Sequence, residues 1–329
     1  MNDRAVSVLE KYDIEVLRSW KGRGAILCET KTGITILKEY KGSGTRLLLQ
    51  QKLLQEIKEN GYPWVEEILP AKDGELLVKD EDMVSYYLKS YSQGKECNSK
   101  DIGDCEEALR QLAIYHQSAC LPKLEEGCKV SRFPLEEEME KHTREMKKVR
   151  KFLKEKGQKT DFELLLFHHY DFFFEKAGEV LEESRKLKSD RETKEARLFC
   201  HGDFQHHNIL MNESGVFLIN FEKFVLDSPT RDLSLFFRKI MEKNNWSGVW
   251  GQKMLRAYEK QRPLSAEERL DLYYRLSYPE KFWKIINFYY NSSKVWIPAK
   301  NLEKLEKLLK QEEEKNRYLE QNFRQWVLQ

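Results

Sequence analysis

No stretch of the chain approaches the roughly 18 consecutive apolar residues that a membrane-spanning helix needs. Its start, Met1 to Glu10, lacks the apolar region of a secretory signal, so the protein is expected to be made and kept in the cytosol. A surplus of one charge is also missing: 57 lysines and arginines face 55 acidic residues, for a formal charge of +2. Such a balance offers no electrostatic footprint for duplex DNA or an anionic membrane, which excludes nucleic acid as an expected partner. The cysteines, Cys28, Cys97, Cys105, Cys120, Cys128 and Cys200, include no C-x-x-C pair. Neither a zinc ribbon nor a secreted disulfide framework is indicated, and the thiols read as reduced and mostly buried. No internal repeat is visible.

What is present is a mixture of 40% hydrophobic and 34% charged residues, which excludes wholesale disorder and predicts a heavily solvated surface. At 329 residues the chain exceeds most single cores, so two lobes or two modest domains are expected. The early part reads as short strands: Ala25 to Glu29, a turn at Thr32-Gly33, then Ile34 to Tyr40. A helix follows over Thr45 to Asn60, with Leu47, Leu53, Leu54 and Ile57 on one face and Gly61 and Pro63 as its stop. Further strands are predicted at Val65 to Leu69, Glu75 to Val78 and Val84 to Tyr91. The polar stretch from Tyr91 to Asp101 reads as a connector between lobes. Beyond it the pattern turns to long helices, Cys105 to Ala119, Leu135 to Lys156 and Phe162 to Lys188. Within them the charged run Glu136 to Lys156 is better read as a solvated helix face than as a partner-binding arm. Leucines 302, 305, 308 and 309 form a stripe suited to core packing more than to a coiled-coil seam.

The chemistry concentrates in His201-Gly202-Asp203-Phe204-Gln205-His206-His207-Asn208, followed by a strand-like run from Val216 to Phe221. A phosphoryl acceptor hydroxyl needs a carboxylate to orient it and take its proton, while an amide oxygen or second carboxylate holds the metal on the nucleotide phosphates. Asp203 and Asn208, five residues apart in one turn, supply that pair. Zinc is not expected. His168 and His169 point about 100° apart on a helix, and the clustered His201, His206 and His207 belong to the turn that carries Asp203 and Asn208, so convergence on one metal is not implied.

At these residues the chain resembles the aminoglycoside and choline kinase type of phosphotransferase, with His201, Gly202, Asp203 and Asn208 all matching its catalytic loop. The resemblance implies an α+β, bilobal protein-kinase-like fold. A small β-sheet lobe with one helix would occupy residues 1–91, and a larger, mainly helical lobe carrying the catalytic loop residues 92–329. It implies Asp203 as catalytic base, Asn208 as a magnesium ligand and His201 as a structural residue. It also implies a metal-binding aspartate where this chain has Asn220, in Ile219-Asn220-Phe221-Glu222, and a bracing role for Asp232 in Asp227-Ser228-Pro229-Thr230-Arg231-Asp232. Lys38 sits on the strand where kinase-like folds keep the lysine that binds nucleotide phosphates. Its glutamate partner is sought on the following helix, where Glu56 lies at the edge of the apolar stripe and Gln50 inside it. Gly22 and Gly24, in Trp20-Lys21-Gly22-Arg23-Gly24-Ala25, suit a phosphate-covering turn because glycine lets backbone amides approach.

Two further segments, Tyr278-Pro279-Glu280-Lys281-Phe282-Trp283-Lys284 and Asn287-Phe288-Tyr289-Tyr290-Asn291-Ser292, are similar to the C-terminal part of the CotS family of bacterial spore coat proteins. That resemblance implies synthesis in the mother cell, assembly onto the forespore surface and other coat proteins as partners. Asn220 removes a charge beside a dication. A unit pair at about 4 Å and an effective dielectric of about 20 is worth roughly 4 kcal/mol, so the expected loss is on the order of a hundredfold or more. On an extended segment Glu222 shares a side with Asn220 and compensates if the strand continues through it. Two functions follow from the resemblance. One is a coat assembly scaffold with weak or absent kinase activity. The other is an active ATP- and magnesium-dependent phosphotransferase that uses Lys38, Asp203, Asn208 and Glu222 on a small-molecule hydroxyl or a coat component.

Overall fold

The computed structural model describes residues 7–22, 24–119, 135–186, 198–291 and 298–327; Arg23, Cys120, Cys128, Leu187, Lys188 and Ser292 lie outside them. The chain divides into two compact units, Met1–Val130 with Leu198–Val225, and Ser131–Arg197 with Leu226–Gln329. Compactness therefore does not divide the chain after Tyr91. The connector beyond Tyr91 is tied back by backbone hydrogen bonds, Cys97 N–H donating to the Ile209 carbonyl at 3.0 Å, so it packs with the catalytic segment.

In the first unit the strands are β1 (Val16–Lys21), β2 (Ile26–Thr30), β3 (Gly33–Glu39), β4 (Ile68–Leu69), β5 (Val78–Lys79) and β6 (Ser85–Tyr91), with α1 (Gly44–Glu59) between β3 and β4. The sheet runs β1-β2-β3-β6-β4, with β5 also on β6, and every pairing is antiparallel. Its register explains the site. Leu37 lies opposite Leu88, and Lys38 opposite Tyr87. Side chains alternate along each strand, so Leu37 and Leu88 face one way, into an apolar cluster with Val8, Tyr12, Cys28 and Val78. Lys38, Tyr87 and Lys89 share the other face, and the sheet thus carries one dry side and one polar side.

Ser43 caps α1 by accepting the Arg46 N–H, and the helix buries Leu47, Gln50, Leu53, Leu54 and Ile57. The unit is completed by β7 (Lys95–Glu96), α2 (Ile102–Ser118), β8 (Phe199–Cys200), β9 (Ile209–Asn212) and β10 (Gly215–Leu218), with β9 between β7 and β10 in a small sheet. Among the described residues, Cys28, Cys97, Cys105 and Cys200 are buried thiols outside any disulfide.

The second unit is helical: α3 (Leu135–Glu155), α4 (Asp161–Lys186), α5 (Thr230–Lys243), α6 (Gly248–Glu259), α7 (Ala266–Ser277), α8 (Glu280–Asn291) and α9 (Pro298–Val327). The charged run on α3 is the wet flank of an amphipathic helix, for Met139, Met146 and Leu153, one heptad apart, are buried with Tyr170, Phe173 and Phe282. The α9 stripe packs into the same cluster through Leu305 and Leu308. On α4, Tyr170 and Phe173 are core, whereas Phe167 and Phe172 are exposed. Trp283 donates to Glu145 Oε2 at 2.8 Å and stacks on His142 at 3.4 Å, while Tyr278 shares a hydrogen bond with Thr143, so Tyr278 before α8 and Trp283 within it clamp α3. No described helix is long and apolar enough to cross a membrane.

Candidate functional site

The polar face of the first unit's sheet meets the turn that follows β10. Lys38 Nζ donates to Glu222 Oε1 at 2.5 Å and lies 3.5 Å from Asn220 Oδ1. The Tyr87 hydroxyl donates to the same Glu222 oxygen at 2.6 Å. Lys89 Nζ reaches Glu66 Oε2 at 2.7 Å and Asn220 Oδ1 at 2.9 Å, with Glu222 Oε1 at 3.7 Å. The Lys89 and Glu66 side chains are almost sealed from solvent, at 2% and 0% exposed.

Backbone geometry sets up this meeting. The strand does not continue through Glu222, contrary to the expectation of an extended segment: β10 ends at Leu218, Asn220 takes a left-handed conformation (φ 68°, ψ 60°), and Phe221–Lys223 form a 3₁₀ turn. Asparagine tolerates that conformation better than most side-chain-bearing residues. Glu66 holds the reversal by accepting the N–H groups of Asn220 at 2.7 Å and Phe221 at 3.1 Å. Glu222 reaches Lys38 because the chain turns.

In the catalytic-type turn, buried His201 donates from Nε2 to the Ile219 carbonyl at 2.9 Å and accepts the Asp203 N–H at Nδ1 at 3.2 Å. Both ring nitrogens are engaged, which assigns the tautomer and leaves this imidazole a packing role. Asn208 donates to the Asp203 carbonyl at 2.8 Å and accepts from Asn220 Nδ2 at 2.9 Å. The Asp203 carboxylate takes Lys223 Nζ at 3.0 Å on Oδ2 and the Gln205 amide on Oδ1. Partial burial opposes ionisation of Asp203, but the Lys223 ammonium, aided by the Gln205 amide, holds its carboxyl below the usual carboxylate range.

Glu56 is exposed on α1, and the partner of Lys38 is Glu222; the buried α1 position is Gln50, whose amide lies 3.5 Å from Glu66. The phase of the helix puts an amide, not a carboxylate, on the site side. Gly22 and Gly24 shape the β1–β2 turn, with the Gly22 N–H donating to the Ala25 carbonyl at 2.8 Å. Asp232 is buried in the first turn of α5, in the second unit. In that unit the neighbouring Asp227 is held by Arg231 at 3.0 Å and Arg275 at 3.1 Å.

Sequence reading overlooked Lys89, Glu66, Tyr87, Lys223 and Arg46. The one sequence signal for Lys89 was a cation inside the aromatic and apolar run Tyr86-Tyr87-Leu88. Arg46 braces the 3₁₀ turn, donating to the carbonyls of Glu222 at 3.2 Å and Phe224 at 2.8 Å and stacking 4.0 Å from the Phe224 ring.

Burial alone would raise the pKa of Glu222, but Lys89 and Lys38 together with the Tyr87 hydroxyl pull it down to about 2 from an ordinary 4.5. A carboxylate depressed in the fold adds stability that is complete above the unfolded value and is lost as pH falls toward the folded one. The unfolding free energy should therefore fall as pH drops from 4.5 towards 2, and Glu222→Gln should flatten that part of the slope. Urea titrations across the window measure it; identical slopes in both proteins would contradict the assignment.

The magnesium ion implied by the phosphotransferase resemblance does not fit these residues as they stand. The Asn220 oxygen faces the Lys89 ammonium, the Asn208 oxygen receives an N–H, and the Glu222 oxygen is engaged by Lys38 and Tyr87. A dication needs oxygens free of such donors, and carboxylates rather than amides where charge is to be balanced.

Among solved structures, an aminoglycoside phosphotransferase from Alicyclobacillus acidocaldarius superposes with a TM-score of 0.85 at 18% identity, over 98% of this chain and 96% of that one. The amicoumacin kinase hAmiN, solved with AMP-PNP, Ca²⁺ and Ami, matches at a TM-score of 0.63 and 13% identity, over 96% and 94%. The fold is thus that of kinase-like phosphotransferases. Spore coat protein S of Bacillus subtilis (strain 168) is 25% identical over 317 residues, 91% of this chain and 86% of that protein. Residues 6–322 match the family described as "Spore coat putative kinase YutH", and the chain belongs to that spore coat family.

Proposed function

We propose that the protein is a spore coat assembly component that keeps the phosphotransferase fold as a scaffold, with weak or absent nucleotide binding and kinase activity. One observation carries the reading. The oxygens of Asn208, Asn220 and Glu222, where the resemblance calls for metal ligands, are already occupied by internal donors and ammonium groups. The Asp203 carboxylate is likewise paired, with Lys223 and Gln205 on its two oxygens. Its partners would be other coat proteins, reached after synthesis in the mother cell.

The competing reading, an active phosphotransferase acting on a small hydroxyl compound or a coat component, draws on Lys38, Asp203 and Asn208 lying in one compact unit. One experiment separates the two. Thermal melting is compared with ATP plus Mg²⁺ and with ATP plus chelator, and label transfer from γ-labelled ATP is followed in a coat extract with Asp203→Asn as control. The scaffold reading expects superimposable melts and no transfer above the control. A metal-dependent rise in melting temperature with Asp203-dependent transfer would reverse it.

A further inference from the structure

Lys89 stands out in its strand. It follows Tyr86, Tyr87 and Leu88 on β6 and is almost completely buried, a position where a charge carries a desolvation penalty of several kcal/mol unless it is closely paired. Glu66 answers that charge. A structural ion pair would be complete with those two residues, yet the ammonium also donates to Asn220 Oδ1 and sits near Glu222 Oε1. Oxygens from three residues thus surround one cation, as in a small metal site, and the cation is a lysine.

The charges around it balance. Lys38 and Lys89 face Glu66 and Glu222, while Asn220 contributes no charge. An aspartate at 220 would add a third carboxylate and leave the cluster one negative charge in excess. The amide orientation points the same way: with Oδ1 turned to Lys89, Nδ2 is turned to the Asn208 oxygen. Lys89 therefore orients the asparagine so that each amide oxygen of the pair accepts an internal donor.

We infer that Lys89 is the specificity-determining residue of this site, a built-in cation held by Glu66, Asn220 and Glu222 that excludes divalent metal ions. The inference rests on the scaffold reading above and extends it, for it says that the asparagine is not the sole cause. Restoring a carboxylate at 220 would hand it to Lys89 before any metal reached it.

The probe is Mn²⁺ alone, followed by the loss of its free-ion signal in electron paramagnetic resonance, with the full chain as the protein. Asn220→Asp is expected to take up Mn²⁺ no better than the wild type. Asn220→Asp combined with Lys89→Met and Glu66→Gln, which removes the buried pair together, is expected to bind at least about tenfold more tightly than the Lys89→Met/Glu66→Gln background. A melt of each variant establishes that it is folded, and Lys89→Gln with Glu66→Gln is the polar alternative background. Mn²⁺ bound as tightly by Asn220→Asp alone as by the combined variant overturns the role of Lys89 and leaves the scaffold reading standing. Tight Mn²⁺ uptake at this site by the wild type, abolished by Glu222→Gln, overturns both.

Discussion

Lys89→Met alone is expected to lower the stability of the chain by about 3–5 kcal/mol, the usual cost of stripping a buried charge of its partner. The side chain left behind is Glu66, with no solvent exposure, two backbone N–H donors and no remaining cation within salt-bridge distance among the described residues. Methionine matches the length of the lysine stem, so packing changes little and the loss reports on charge. Urea denaturation at neutral pH measures it, and adding Glu66→Gln is expected to return most of the stability. If the single variant melted like the wild type, the pair would contribute nothing, and a tightly coupled cluster would be ruled out. Nearly complete burial sets this pair apart from the many surface ion pairs, each worth about 1 kcal/mol or less.

Gly202→Ala is the second large effect, at about 2–5 kcal/mol, the sum of a backbone and a packing cost. Gly202 has φ +76°, a region that costs a side-chain-bearing residue roughly 1–2 kcal/mol. A Cβ there would also overlap the Lys223 carbonyl, standing 2.8 Å from its carbon, and that group belongs to backbone that cannot rotate aside. Relief requires the His201–Asp203 turn to part from the 3₁₀ turn at Phe221–Lys223, at an overpacking cost of about 1–3 kcal/mol. The same denaturation assay reads the loss, and native stability in Gly202→Ala would show that the two turns are not locked together. A contrast comes from Gly24, also at positive φ, where a Cβ would meet nothing within 4 Å; there only the backbone strain applies.

What the sequence disclosed follows the range of the interactions. Asp203 and Asn208 were legible because five residues in one turn define their relation, and α1 was legible because its apolar stripe repeats at helical period. Gln50 on the buried side of α1, with Glu56 outside, also follows from that period. The contacts of Lys89 were not legible, since its partners lie 23 and 131 residues away and the β4–β6 pairing, Ile68 opposite Lys89, brings Glu66 beside it. Glu222 was placed near Asn220 for the wrong reason: alternation along a strand was assumed, whereas a left-handed residue and a 3₁₀ turn bring it there. The stretch beyond Tyr91 joins the catalytic segment in one compact unit for a related cause. A polar connector looks like a linker until a distant strand pairs with it.

That pairing also bears on biosynthesis. The first unit is split in the chain: β7 finds β9 only after all of Ser131–Arg197, assigned to the other unit, has been translated. At about 5–20 residues per second this interval lasts several seconds. Throughout it, Lys38 waits on a nascent sheet without Glu222, while Lys89 has only Glu66. The ribosome thus leaves this cluster incomplete until residue 222 has emerged, and a nascent chain stalled short of that point should be the most vulnerable to proteases on its polar side.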